Sequence, residues 1–208
     1  MYCGNPSNEI EKLACLLLCG GRSSRMGTDK SFVRLPSLGN ATFFEISKRL
    51  IQSVGLQTYV SIREEQSNNY KSYSDVMFVF DSVSMDGPLN GVLSAYEKYP
   101  DYDWLILPVD MPFLTKEVLE YLMNEYLEGQ YGHEVFVYET KDSFVQPLPG
   151  IYTKEMLRKI AWLHYSGQLQ KNSFKQIIEL SNIQTILSPE SWSSFFRNVN
   201  SPQELEEK

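Results

Sequence analysis

The residues best suited to chemistry cluster early, in Leu16-Leu17-Leu18-Cys19-Gly20-Gly21-Arg22-Ser23-Ser24-Arg25-Met26-Gly27-Thr28-Asp29-Lys30. An apolar run breaks here into a loop rich in glycine, arginine and lysine. Gly20 and Gly21 permit a sharp turn and let backbone N–H groups approach a ligand without Cβ interference. Successive N–H groups make an anion-binding concavity, and Arg22, Arg25 and Lys30 add positive charge beside it. Such a loop cradles phosphate, although its spacing fits neither G-x-x-x-x-G-K-S/T nor G-x-G-x-x-G. A strand-to-helix turn with solvated basic residues would share the glycines. The lysine three residues beyond Arg25-Met26-Gly27 favours the phosphate reading.

Two aspartates extend that chemistry. Asp110 ends the apolar run Trp104-Leu105-Ile106-Leu107-Pro108-Val109 and precedes Met111-Pro112-Phe113. A carboxylate there faces the ligand edge of a sheet, where Mg²⁺ binds through one or two carboxylates plus phosphate and water. An aspartate closing an Asx turn is the structural alternative. Asp81 ends the run from Val76 to Phe80 and precedes Gly87-Pro88-Leu89-Asn90-Gly91, with Asp86 a competitor for its role. Gln146-Pro147 is a further island. So is Phe196-Arg197-Asn198-Val199-Asn200-Ser201-Pro202, in which Asn198 and Asn200 of an extended segment point to one side. His133 and His164 fall outside all these segments.

The elements that must position these residues follow from hydrophobic pattern. Strands are expected at 13–19, 59–62, 76–80, 104–109, 134–138, 147–152 and 183–187. Helices are expected at 42–54, from Pro88, from Thr115 to about Leu127, and near 153–163 and 173–181. Ser201-Pro202-Gln203-Glu204 has the N-cap, Pro at N1 and Glu at N3 that open a terminal helix. Strands alternating with helices predict an α/β layered fold with a mostly parallel central sheet. The Gly loop, Ser61, Asp81 and Asp110 all stand at strand ends, where ligands collect in such sheets.

Composition sets the outer bounds. The chain has 208 residues, 42% hydrophobic and 22% charged, with a formal charge of −7. Residues 1–12 are expected to be a flexible tail, and 13–208 a single domain. The acidic balance argues against nucleic-acid binding through phosphate neutralisation. No apolar run approaches the ~20 residues needed to cross a bilayer, and Glu9 and Glu11 are wrong for a secretory signal. Cys3, Cys15 and Cys19 suggest neither a disulfide framework nor a zinc site. A cytoplasmic location is the expectation.

The loop G-G-x-S-x-R-M-G-x-D-K strongly resembles the signature of molybdenum cofactor guanylyltransferases of the MobA kind. The segments around Asp110, Gly87 to Gly91 and Phe196 to Pro202 are similar to the family's as well. The resemblance spans about residues 13–207. It implies a three-layer, Rossmann-like sheet of the nucleotide-diphospho-sugar transferase type. It implies transfer of GMP from GTP to the terminal phosphate of molybdenum-loaded molybdopterin, with release of pyrophosphate. Catalytic roles then fall to Arg25, Lys30 and Asp110, with Asp110 holding Mg²⁺. Nucleotide binding falls to Leu18, Cys19, Gly20, Gly21, Lys30, Ser61, Asp81 and Asp110, and acceptor binding to Gln146, Asn198 and Asn200. Cofactor-delivery proteins and acceptor oxidoreductases are further candidate partners. Three departures stand out: Cys19 replaces a small alanine, Ser61 an asparagine, and residues 31–42 are longer and lack the usual G-x-P-L. The alternatives are a nucleotidyltransferase using CTP or another phosphorylated acceptor, and a non-catalytic carrier of molybdopterin or nucleotide.

Overall fold

The central strands are apolar at successive positions because alternate side chains enter two different cores. The computed structural model describes residues 12–20, 29–129 and 132–200. In chain order its elements are β1 (Leu13–Leu18), β2 (Arg34–Leu35), β3 (Ala41–Thr42), α1 (Phe43–Ser53), β4 (Thr58–Ile62), β5 (Met77–Phe80), α2 (Leu89–Lys98), β6 (Asp103–Pro108), α3 (Lys116–Gly129), β7 (Val135–Glu139), β8 (Val145–Tyr152), α4 (Lys154–Tyr165), α5 (Phe174–Leu180) and β9 (Ile183–Leu187). In β1, Leu13, Cys15 and Leu17 join one core while Ala14 and Leu16 join the other. Leu105 and Leu107 of β6 divide from Trp104 and Ile106 in the same way.

Seven strands form one sheet in the order β5-β4-β1-β6-β8-β7-β9. The block β5-β4-β1-β6 is parallel throughout, and β7 pairs parallel with β9. Strand β8 runs antiparallel to both β6 and β7. The connection 140–144 between β7 and β8 is too short for the crossover that a parallel pair requires. The sheet is therefore mostly parallel with one reversed strand. Helices α1 and α3 cover one face through Phe43, Phe44, Leu119 and Leu122. The other face is covered by α2, α4 and α5 through Val92, Leu93, Leu157 and Ile177.

The long stretch after Lys30 is built rather than loose. A 3-10 turn at Lys30–Phe32 leads into the β2–β3 hairpin, whose turn holds Gly39 at φ +71 and Asn40 at φ +59. Thr42 then caps α1. Its hydroxyl accepts from the Glu45 N–H at 3.1 Å, and the Glu45 carboxylate accepts from the Thr42 N–H at 2.8 Å. The hairpin was not foreseen, because two-residue strands carry too little pattern to read. The expected terminal helix from Ser201, most of the tail, Gly21 and Arg25 lie outside the described residues. Among the described residues, no helix is long and apolar enough to cross a membrane.

Strand β1 is the point where the chain order reverses: β4 and β5 lie on one side of it and β6 on the other. A crevice at the carboxyl ends of the strands is expected there.

Candidate functional site

A cleft of about 610 Å³ opens at that reversal. Leu18, Cys19 and Gly20 enter it from the end of β1, Ser61 and Arg63 from the end of β4, and Asp81 from just beyond β5. Lys30 and Asp110 close it on the β6 side, and Asp86, Gly87 and Asn90 form part of its wall. Residues up to 130 positions apart in sequence, from Leu18 to Leu148, thus share one cavity.

Backbone hydrogen bonds extend the parallel pairing past the strand ends and fix this edge. Cys19 N–H donates to the Ser61 carbonyl at 3.0 Å, and Val109 N–H to the Leu18 carbonyl at 3.2 Å. Val199 N–H donates to the Asp110 carbonyl at 2.8 Å, which brings the C-terminal segment to the site. Val199 is fully buried while Asn198 and Asn200 are exposed, as the alternation of an extended segment requires. The Lys30 ammonium lies 3.1 Å from Asp110 Oδ2 and 2.8 Å from Asn200 Oδ1.

On the other wall the Ser61 hydroxyl donates to Asp81 Oδ1 at 3.2 Å. Burial raises the pKa of Asp81, and the Ser61 hydrogen bond and the Arg63 charge oppose that rise. Asp81 also lies against two glycines. A Cβ on Gly20 would stand 3.1 Å from Asp81 Oδ2, and one on Gly91 would stand 2.0 Å from Ser61 Oγ and 2.9 Å from Ser61 Cβ. The start of α2 can approach β4 this closely only because position 91 has no side chain. Asp86, the competitor, is exposed at the rim.

Gly91→Ala tests that close approach. Alanine would favour the helix by about 1 kcal/mol, whereas overpacking costs about 1–3 kcal/mol. Rotating Ser61 relieves the 2.0 Å contact but leaves its Cβ in place, so the clash wins. Urea unfolding is expected to show net destabilisation; a stabilised variant would contradict the packing argument.

Gln146 lies on β8 opposite Tyr138, and neither it nor Asn198 lines the cleft. Leu148, two residues beyond Gln146, does. Gly21 and Arg25 lie outside the described residues. The Cys19 thiol is fully buried in the core with Leu35 and Tyr70, and burial pushes its pKa up to about 12. It packs as a small apolar group and is no nucleophile at neutral pH.

The sequence profile of the MobA-like NTP transferase domain matches residues 15–182, most of the chain and every residue that lines the cleft. The chain belongs to this family. It is a nucleotidyltransferase. It is 31% identical to a probable molybdenum cofactor guanylyltransferase of Rhodopirellula baltica, over 91% of this chain and 88% of that one. A protein of the same description from Flavobacterium johnsoniae is 29% identical, covering 94% and 96%. Among solved structures, a molybdopterin-guanine dinucleotide biosynthesis protein A from Archaeoglobus fulgidus superposes with a TM-score of 0.75 at 21% identity. That match covers 93% and 95% of the two chains and shows the shared fold.

For this transferase the cation question turns on Asp110 and Asn200. Their oxygens converge on one positive charge, the Lys30 ammonium, and the Asp110 side chain is 23% exposed. Hard oxygen donors such as these suit Mg²⁺. No group of three or more His, Cys, Asp or Glu side chains gathers around a metal position among the described residues. The protein would therefore supply a minority of the ligands, as is usual where phosphates complete the shell.

Several lining residues escaped the sequence reading. Arg63 stands two positions after Ser61 on the same strand end, a spacing that could have revealed it. Leu148 could not have been found, because β8 enters the sheet by a long-range antiparallel pairing.

Proposed function

We propose that the chain transfers GMP from GTP to the terminal phosphate of molybdenum-loaded molybdopterin and releases pyrophosphate. The observation that carries this reading is the Lys30–Asp110 pair on the β6 side of a cleft whose opposite side is lined by Ser61 and Asp81, with Gly20 between. One side offers charges suited to phosphates, and the other offers hydrogen-bonding groups suited to a base and ribose. The names of the relatives agree with both halves.

The acceptor phosphate oxygen attacks the α-phosphorus in line, and the α–β bridging bond breaks. A phosphate nucleophile is already ionised at neutral pH, so no general base is required. Lys30 neutralises charge on the departing pyrophosphate, and Gly20 lets the backbone meet the nucleotide. Arg25 serves the triphosphate or the acceptor phosphate. Mg²⁺ held by Asp110 and the phosphates would supply a charge clamp for the leaving group. Asn198 and Asn200, with Gln146, receive the acceptor from outside the cleft, where Asn200 meets Lys30 at its edge. Holding two anions together is most of the work, and positioning can supply it.

Asp81 accepts hydrogen bonds from the N1–H and N2 amine of guanine, or holds the ribose. In competition at equal GTP and CTP with metal-loaded molybdopterin and Mg²⁺, GTP is expected to be consumed at least about tenfold faster. Preference for CTP would replace the guanylyl assignment. Nucleotide binding without pyrophosphate release would point instead to a carrier.

A further inference from the structure

Gln66 lines no part of the cleft, yet it is bonded to three residues that do, or that adjoin those that do. It lies in the 3-10 segment Glu64–Tyr70 after β4 and is 5% exposed. Its Nε2 donates to the Cys19 carbonyl at 3.2 Å and to Asp29 Oδ2 at 2.6 Å. Its Oε1 accepts from the Arg63 backbone N–H at 3.0 Å and from Arg63 Nε at 3.3 Å. Both hydrogens and both lone pairs of the amide are used. Acceptors stand on one side and donors on the other, so only one orientation of the amide satisfies them.

The partners are what give this network a consequence. Cys19 immediately precedes Gly20, and Asp29 immediately precedes Lys30. Asp29 Oδ1 accepts from the Ser31 N–H at 3.0 Å and so caps the 3-10 turn that carries Lys30. Arg63 itself lines the cleft. One buried amide therefore ties together the backbone leading into Gly20, the carboxylate that seats the lysine turn, and a cleft arginine.

We propose that Gln66 is a positioning residue of nucleotidyl transfer, setting the separation of Gly20 from Lys30 before nucleotide arrives. The proposal rests on the cleft being the nucleotide site. Without the clasp, binding must first order both ends of the cradle, and that cost appears as lost affinity. A glutamine that merely stabilised the fold would act otherwise: its loss would lower the melting temperature and the fraction of competent protein, leaving the affinity of the folded remainder unchanged.

Calorimetric titration with GTP separates these cases, since it reads Kd and stoichiometry independently. Gln66→Ala is expected to raise Kd about tenfold or more at near-unit stoichiometry. Reduced stoichiometry at wild-type Kd would overturn the proposal. Gln66→Glu is the milder second variant: it keeps the Arg63 bonds but sets a carboxylate against Asp29. Its Kd should rise at pH 8, and adding Asp29→Asn should lower it again by restoring a donor opposite an acceptor. Absence of that rescue would count against the clasp. Gly20→Val serves as the control for the site. Wild-type GTP affinity in Gly20→Val would overturn the cleft assignment and the clasp together. Lost affinity there, with wild-type Kd in both Gln66 variants, would overturn the clasp alone.

Discussion

Asp110→Asn is expected to lower turnover by about 10³-fold while leaving the protein folded. The substitution keeps the side-chain shape and an oxygen for Lys30, which lies 3.1 Å from Oδ2, and removes only the charge. The bond that ties the C-terminal segment here uses the Asp110 backbone carbonyl, accepting from Val199 N–H, so the site's framework is untouched. A carboxylate that anchors a cation matters most as charge gathers on the leaving pyrophosphate. GTP affinity should therefore change by less than about tenfold while kcat carries the loss. Steady-state kinetics with a pyrophosphate readout, alongside a thermal melt, measure both. Turnover near wild type would remove Asp110 from the mechanism.

Gly20→Val should weaken GTP binding by at least about 10²-fold, through obstruction rather than unfolding. The backbone leading into Gly20 cannot yield, because the Cys19 N–H is bonded to Ser61 and the Cys19 carbonyl to Gln66. A Cβ at position 20 would already stand 3.1 Å from Asp81 Oδ2, and valine adds two methyl groups beyond it. Gly20→Ala makes only the 3.1 Å contact, with the end of a side chain that can shift by a few tenths of an ångström, so its loss should be a few-fold. Equilibrium dialysis of GTP with both variants checks the order. Equal affinity in Gly20→Val and wild type would show that the backbone at position 20 does not meet the nucleotide.

Much of the framework was legible because its causes are local. The run 104–109 is apolar at successive positions since both faces of β6 are covered, and the 3.6-residue period of Phe43, Phe44 and Ile51 follows from one covered face of α1. The strand-end positions of Gly20, Ser61, Asp81 and Asp110 followed from where apolar runs stop, and parallel pairing then brings them to one edge.

What the sequence by itself determined, then, is the α/β class, the order of the main-sheet strands and the helices between them, and the residues delivered to the carboxyl edge. Each depends on side-chain type and spacing within a few residues. Only the tertiary structure decided that β8 inserts between β6 and β7, which brings Leu148 to the cleft. It also decided that Asp81 sits beside Gly20 and Ser61 while Asp86 stays at the exposed rim. The need for glycine at 91 arises because α2 begins against Ser61 of β4, a contact no local pattern encodes. Gln66 reads in sequence as one more polar residue of a polar stretch. Burial and a partner 47 positions away, Cys19, distinguish it from its neighbours, because long-range packing chooses which polar groups lose water and must find each other.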